Sequence, residues 1–152
     1  MEVKQLDIAP FSVSGLQVRT FNRDEQQPET AKIGPMWGRF FADQAFSKIP
    51  NAVAESLVYG VYSNYESDAN GAFDVTAGRV VTAPAKDFAT VDIQGGRYLV
   101  FEASGPMPES VIATWGQVWQ YFEEHTEIKR AFVSDFEAYN GPDSVSVYIG
   151  IR

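Results

Sequence analysis

The sequence predicts an α+β domain in which two β-α-β-β modules, related by a pseudo-twofold axis, join into one curved antiparallel sheet with two helices on one side. Three observations lead there. Short runs rich in β-branched and aromatic residues alternate with period two and end in Gly-, Pro- or Asn-containing turns. Two longer stretches carry apolar residues at three- and four-residue steps. The order strand, helix, strand, turn, strand then occurs twice, over about 1–83 and about 84–152, within a single domain of 152 residues.

In the first half, FSVSGLQVRTF (11–21) reads as a strand with a candidate bulge at Gly15. NRDEQQPE (22–29) is a polar loop. Thr30 is placed to cap a helix running to about Lys48, with Ile33, Met36, Trp37, Phe40 and Phe41 on its apolar face and Pro35 in its first turn. SLVYGVYSNYE (56–66) and AFDVTAGRVVT (72–82) then pair as strands around the Asn70-Gly71 turn. In the second half, FATVDI (88–93) and RYLVFEA (97–103) flank a second turn at Gln94-Gly95-Gly96. A helix over 109–124 follows Pro106 and Pro108, with Val111, Ile112, Trp115, Val118, Trp119 and Phe122 as its apolar face. Strands at 131–139 and 144–151 close the chain around Asn140-Gly141-Pro142-Asp143.

The halves also share residues. Met36-Trp37-Gly38 aligns with Thr114-Trp115-Gly116, and Ser63-Asn64-Tyr65-Glu66 with Ser134-Asp135-Phe136-Glu137. Two helices on one sheet leave a groove between them, which is a natural ligand site.

Composition narrows the chemistry. There is no cysteine and a single histidine, His125, in a polar helix end that favours the surface. This argues against a disulfide framework and against a nitrogen- or sulfur-ligated metal. No Gly-x-Ser-x-Gly motif or phosphate-binding glycine loop occurs, so no cofactor is expected. A net charge of −8 is poorly suited to nucleic acid; it serves solubility or, more sharply read, favours cationic partners. The apolar runs are too short to span a bilayer and the N-terminus lacks a signal-peptide pattern, so the expected location is the cytoplasm.

Glu137 is the residue that stands out. By alternation it shares a strand face with Tyr139, while Ser146, Tyr148 and Gly150 share a face of the last strand. If these less aliphatic faces coincide under the helices, they line a cavity with a carboxylate in it. A carboxylate there needs hydrogen bonds, a proton or a cation. Trp37 and Trp115 occupy matching helix positions, and Tyr98 and Glu102 share a face of a third strand. Aromatic faces around one acid resemble the walls of a cation site. No nucleophile has a visible base, which weighs against an enzyme. Glu102 and Glu137 as a carboxylate pair keep acid–base hydrolysis open.

With these motifs set out, the chain resembles the GyrI-like domains, also called AraC-type effector-binding domains. The resemblance rests on Gly15-Leu16-x-x-Arg19-Thr20, Ile33-Gly34-Pro35-Met36-Trp37 and Tyr62-Ser63-x-Tyr65-Glu66-x-Asp68, then on Gly95-Gly96-x-Tyr98, Trp115 and Asp135-Phe136-Glu137-x-Tyr139, in that order along nearly the whole chain. It implies a pocket between the helices for small amphipathic, often cationic, organic molecules, with Glu137 as the central acid. Trp37, Tyr98, Trp115, Tyr148 and, one helical turn on, Trp119 are its implied aromatic walls; Glu102 is a second candidate acid. Regulators of this family carry a DNA-binding region before the domain, and the chain looks like the stand-alone form, so direct binding to nucleic acid is not expected. The resemblance leaves two further outputs open: an interaction module that shields a partner such as DNA gyrase, and a Glu-dependent hydrolase. An exposed strand edge would also support a homodimer.

Overall fold

The computed structural model describes residues 3–152. All eight strands lie in one antiparallel sheet: β1 (Val3–Ile8), β2 (Phe11–Thr20), β3 (Val58–Ser63), β4 (Phe73–Val81), β5 (Ala89–Ile93), β6 (Gly96–Ser104), β7 (Arg130–Gly141) and β8 (Ser144–Ile151). The spatial order is β1-β6-β8-β7-β3-β4-β2-β5. Outward from the centre, β3, β4 and β2 on one side answer β7, β8 and β6 on the other, which is the expected pseudo-twofold arrangement.

The outermost strands correct the predicted pairing. β1 was not anticipated, and β5 and β6 do not form a hairpin around Gln94-Gly95. Instead β1, from the first half, pairs with β6 of the second, while β5, from the second half, pairs with β2 of the first. Each half therefore donates its leading strand to the other. The turn signal at Gln94-Gly95-Gly96 is real, but it marks a crossing between opposite ends of the sheet.

The helix predicted over 30–48 is two pieces, α2 (Ile33–Ala42) and α3 (Ala45–Lys48), preceded by a short turn of helix, α1 (Asn22–Glu25). The break falls at Gln44, whose φ of 53° is left-handed and ends the α2 hydrogen-bond ladder. Thr30 does not cap α2; its hydroxyl donates to the Asp24 carbonyl. The first amides of α2 are met by Glu25, which accepts from Lys32 N at 2.8 Å and Ile33 N at 3.1 Å. A carboxylate at this end also complements the helix dipole. The second long helix, α4 (Glu109–Glu124), has the predicted bounds. His125, which follows it, is half-buried and stacked on Tyr121.

Both long helices lie on the same face of the sheet. Met36 and Phe40 of α2 are buried against Phe73, Val75 and Ala77 of β4. Val111 and Val118 of α4 are buried against Phe101, Val145, Val147 and Ile149. Each of these valine, isoleucine, methionine and phenylalanine side chains contributes roughly 1.5–3 kcal/mol by leaving water. A third cluster, with Val13, Val61, Ile93, Tyr98 and Phe136, fills the other face of the curved sheet. The aligned helix positions share their fates. Met36 and Thr114 are buried, Trp37 and Trp115 half-buried, and Phe41 and Trp119 exposed.

Gly15 is not a bulge, because the β2–β4 register runs unbroken through Gly15↔Gly78. It is a close approach of two backbones: a Cβ at Gly15 would fall on the Ala77 carbonyl, and one at Gly78 on the Ser14 carbonyl. Gly15→Ala is expected to lower stability by about 3 kcal/mol or more, read from urea denaturation; an unchanged midpoint would show that the strands separate freely.

Candidate functional site

The two central strands build the floor of the groove. Asp135, Glu137 and Tyr139 project from β7 towards the helices, and their partners across the ladder are Tyr62, Gly60 and Val58 of β3. Gly60 matters because it stands opposite Glu137. A Cβ there would lie 2.7 Å from Glu137 Oε1 and 3.0 Å from Trp37 Cζ2, so the missing side chain is the space the carboxylate and indole occupy.

Glu137 is 2% exposed. Three neutral donors from three elements hold its carboxylate: the Tyr62 hydroxyl on β3 at 2.9 Å, the Trp115 indole N–H on α4 at 2.7 Å and the Tyr139 hydroxyl on β7 at 2.8 Å. None of the ion pairs among the described residues includes Glu137. Burial raises its pKa, and the hydrogen bonds from Trp115, Tyr139 and Tyr62 oppose that rise without cancelling it. Tyr62 and Tyr139 are both pushed upward, first by burial and then by the neighbouring carboxylate. Their hydroxyls therefore remain donors.

Its neighbour Asp135 is buried too, but compensated. It accepts from Arg130 Nη2 at 2.8 Å, from the Tyr65 hydroxyl at 2.5 Å and from the Gly150 amide at 2.8 Å. Arg130 reaches back because the strand is distorted between it and Asp135, where Phe132 takes a left-handed φ of 53°. One strand thus carries two buried acids, only one of which has a cationic partner among the described residues.

Two cavities open in the groove; Glu137 lines neither, but its donor Tyr139 lines the first and its donors Tyr62 and Trp115 line the second. The first, about 470 Å³, is lined by Trp37, Phe41, Val58, Val111 and Tyr139 together with the Met107-Pro108 turn. The second, about 290 Å³, is lined by Tyr62, Tyr65, Trp115, Trp119, Ile112 and Arg130, with Glu25 at its edge. The tryptophans stand at the divide: Trp37 meets Tyr139 edge to face at 5.6 Å, and Trp115 meets Tyr62 at 5.0 Å. Trp119 is 45% exposed at the rim of the second cavity.

Three expected residues lie elsewhere. Glu137 pairs with Val147, so Tyr148 faces the other side of the sheet, where it stacks on Phe136 at 4.4 Å. Tyr98 lies on that same side and donates to the Gln94 carbonyl. Glu102 is exposed and 3.8 Å from Lys4 Nζ. The error was one of phase: alternation orders the residues within a strand, whereas only the inter-strand register decides which faces coincide. With Glu102 on the other side, the Glu102–Glu137 carboxylate pair does not form. Tyr62, Tyr65 and Arg130 were missed as site residues. Tyr62 was legible in principle, since it shares the parity of Gly60 once β3 is set beside β7. Among the described residues there is no cluster able to hold a metal ion, and no helix is long and apolar enough to cross a membrane.

A duplicated antiparallel sheet with two helices flanking a buried acid defines a GyrI-like effector-binding domain, a class built to hold small molecules. Residues 3–151 match the model of the integron-associated effector binding protein family, Cass2, and the chain belongs to that family. An integron cassette protein from Vibrio cholerae, VCH_CASS2, is 40% identical with a TM-score of 0.85, over 99% of this chain and 95% of that one. The putative transcriptional regulator protein YobU of Bacillus subtilis is 26% identical over 163 residues, 99% of this chain and 96% of YobU. The structure of SAV2435 bound to tetraphenylphosphonium shares the fold at 16% identity, with a TM-score of 0.82 over 100% of this chain and 94% of that one.

The raised pKa of Glu137 fixes the sign of a stability effect. The folded state holds its proton to higher pH than the ordinary glutamate value of 4.5, so this group's contribution is fully present below that value and is lost as pH rises through the raised one. The stability of the wild type relative to Glu137→Gln is expected to fall across this window and then level off. Parallel urea titrations of the two proteins from pH 4 upward measure it; a constant difference would contradict the shift.

Proposed function

We propose that this chain binds small amphipathic organic cations in the groove between α2 and α4, with Glu137 as the counter-charge and Trp37, Trp115 and Trp119 as aromatic walls. The observation that carries this reading is a carboxylate buried among aromatic rings with hydrogen bonds but no cationic partner among the described residues. A ligand cation completes the pair. In a site of low polarity a charge-assisted contact is worth about 1.5–3 kcal/mol, and each aromatic face adds about 0.5–2 kcal/mol. The cavities supply apolar volume for the rest of the molecule.

The comparisons support this reading. The family is one of effector-binding proteins, and a protein of the same fold has been seen with tetraphenylphosphonium, a lipophilic cation. Binding also sets a ligand against the groove's own contacts: Glu137 lines neither cavity, and its Oε1 and Trp37 Cζ2 share the space over Gly60, so a cation reaches the carboxylate by displacing part of that packing.

Glu137→Gln preserves volume and removes the charge. It is expected to weaken a fluorescent lipophilic cation by about 10- to 100-fold while the far-ultraviolet dichroism is unchanged; equal affinities in a dye titration would remove Glu137 from the role. Protonation should mimic the substitution. As pH falls below the raised pKa of Glu137, wild-type affinity is expected to drop while that of Glu137→Gln stays level, checked by the same titration across pH.

A further inference from the structure

We infer that the groove is charge-polarised along its length, so that it selects ligands with one cationic centre, seated on the Trp37–Tyr139 side of Glu137, and a neutral aromatic arm beside Arg130. The inference rests on the cation-binding reading above and adds a direction and a charge limit to it.

The two cavities differ in kind. The first has no charged residue in its lining, and Tyr139, in that lining, donates to Glu137 Oε1. A cation there meets aromatic and aliphatic walls, with the carboxylate one hydrogen bond behind Tyr139. The second already contains a cation. The Arg130 guanidinium stands 4.4 Å from the Phe132 ring centroid and 6.0 Å from that of Trp115, so the protein itself occupies the neighbourhood of those rings. Its Nη2 holds Asp135, while its Nε is buried without a hydrogen-bond partner among the described residues.

The other acid at that end, Glu25, gives little to an incoming cation. Its oxygens accept from the Thr20 hydroxyl at 2.6 Å and from the Lys32 and Ile33 amides at the start of α2, where the helix dipole offsets its charge. A second positive centre would therefore face the Arg130 guanidinium, while the carboxylates at that end are already engaged, Asp135 by Arg130 and Glu25 by Thr20 and the α2 amides. A neutral ring meets Ile33, Ile112 and Trp119 instead.

This runs against the overall field. A chain of net charge −8 attracts a dication more strongly than a monocation at long range. The local arrangement predicts the reverse order of affinity.

The test uses two probes of nearly the same shape: N-methyl-γ-phenylpyridinium, a monocation, and methyl viologen, in which a second N-methylpyridinium replaces the phenyl ring. Isothermal titration calorimetry on the wild-type protein is expected to show the monocation bound about tenfold or more tightly. Gln26→Glu, an exposed position lining the second cavity, is expected to raise viologen affinity and narrow the gap. Equal or tighter binding of viologen by the wild type would overturn the polarisation while leaving cation binding intact. A monocation preference untouched by Gln26→Glu would overturn the placement of the neutral arm. Failure of both probes to bind would overturn the cation-binding reading and this inference with it.

Discussion

A carboxylate shut away from water is the constraint on which the rest of this structure turns. An uncompensated carboxylate in a protein interior costs several kcal/mol, and Glu137 is almost fully enclosed. Its three donors come from β3, β7 and α4. The β3–β7 ladder must therefore be in register, and α4 must lean far enough over the sheet for an indole to reach its floor. Gly60 must leave its side of the ladder bare. Displacing any of these leaves the charge short of hydrogen bonds, which low polarity makes expensive. The acid thus ties one helix to the central strand pair, at the join between the two halves of the molecule.

The duplication supplies a symmetric frame, and the site breaks the symmetry. Matched helix positions are buried, half-buried and exposed alike in both halves. On the central strands the match stops: β7 carries Asp135 and Glu137 where β3 presents Tyr62 and Gly60 across the ladder. Hydrogen-bond donors and empty space on one strand thus receive the acids of the other. The Arg130–Asp135 pair then makes the two ends of the groove unlike. Two near-copies of one module can in this way produce a single asymmetric site.

Much of this was legible in the sequence. The class, the duplication, the bounds of α4 and the β7–β8 hairpin follow from local periodicity and turn chemistry, which are properties of adjacent residues. Glu137 stood out because an acid set between Phe136 and Tyr139 in an alternating strand is a local anomaly. What escaped depends on non-local pairing. The exchange of β1 and β5 leaves no mark on the strands themselves, and a turn signal looks the same whether its strands pair or part. The face shared by Tyr98 and Tyr148 was set against Glu137 rather than apart from it because the β7–β8 register, with its irregularity between Arg130 and Asp135, cannot be counted from one strand. The break at Gln44 is a single left-handed residue that no periodicity announces.

The exchanged strands also bear on how the chain reaches this structure. β1 precedes the rest of the first half, yet its ladder partners run from Gly96 to Phe101. β5 must reach back to Phe11–Gly15. Neither half can finish its own sheet, so the nascent first half waits with β2 unpaired on its outer side until the second begins to emerge. Pairing between such distant segments slows the search for the native state, and an uncovered strand edge held open meanwhile is a template for wrong partners. The two halves therefore belong to one cooperative folding unit, and their assembly carries a kinetic hazard that a simple tandem of independent modules would avoid.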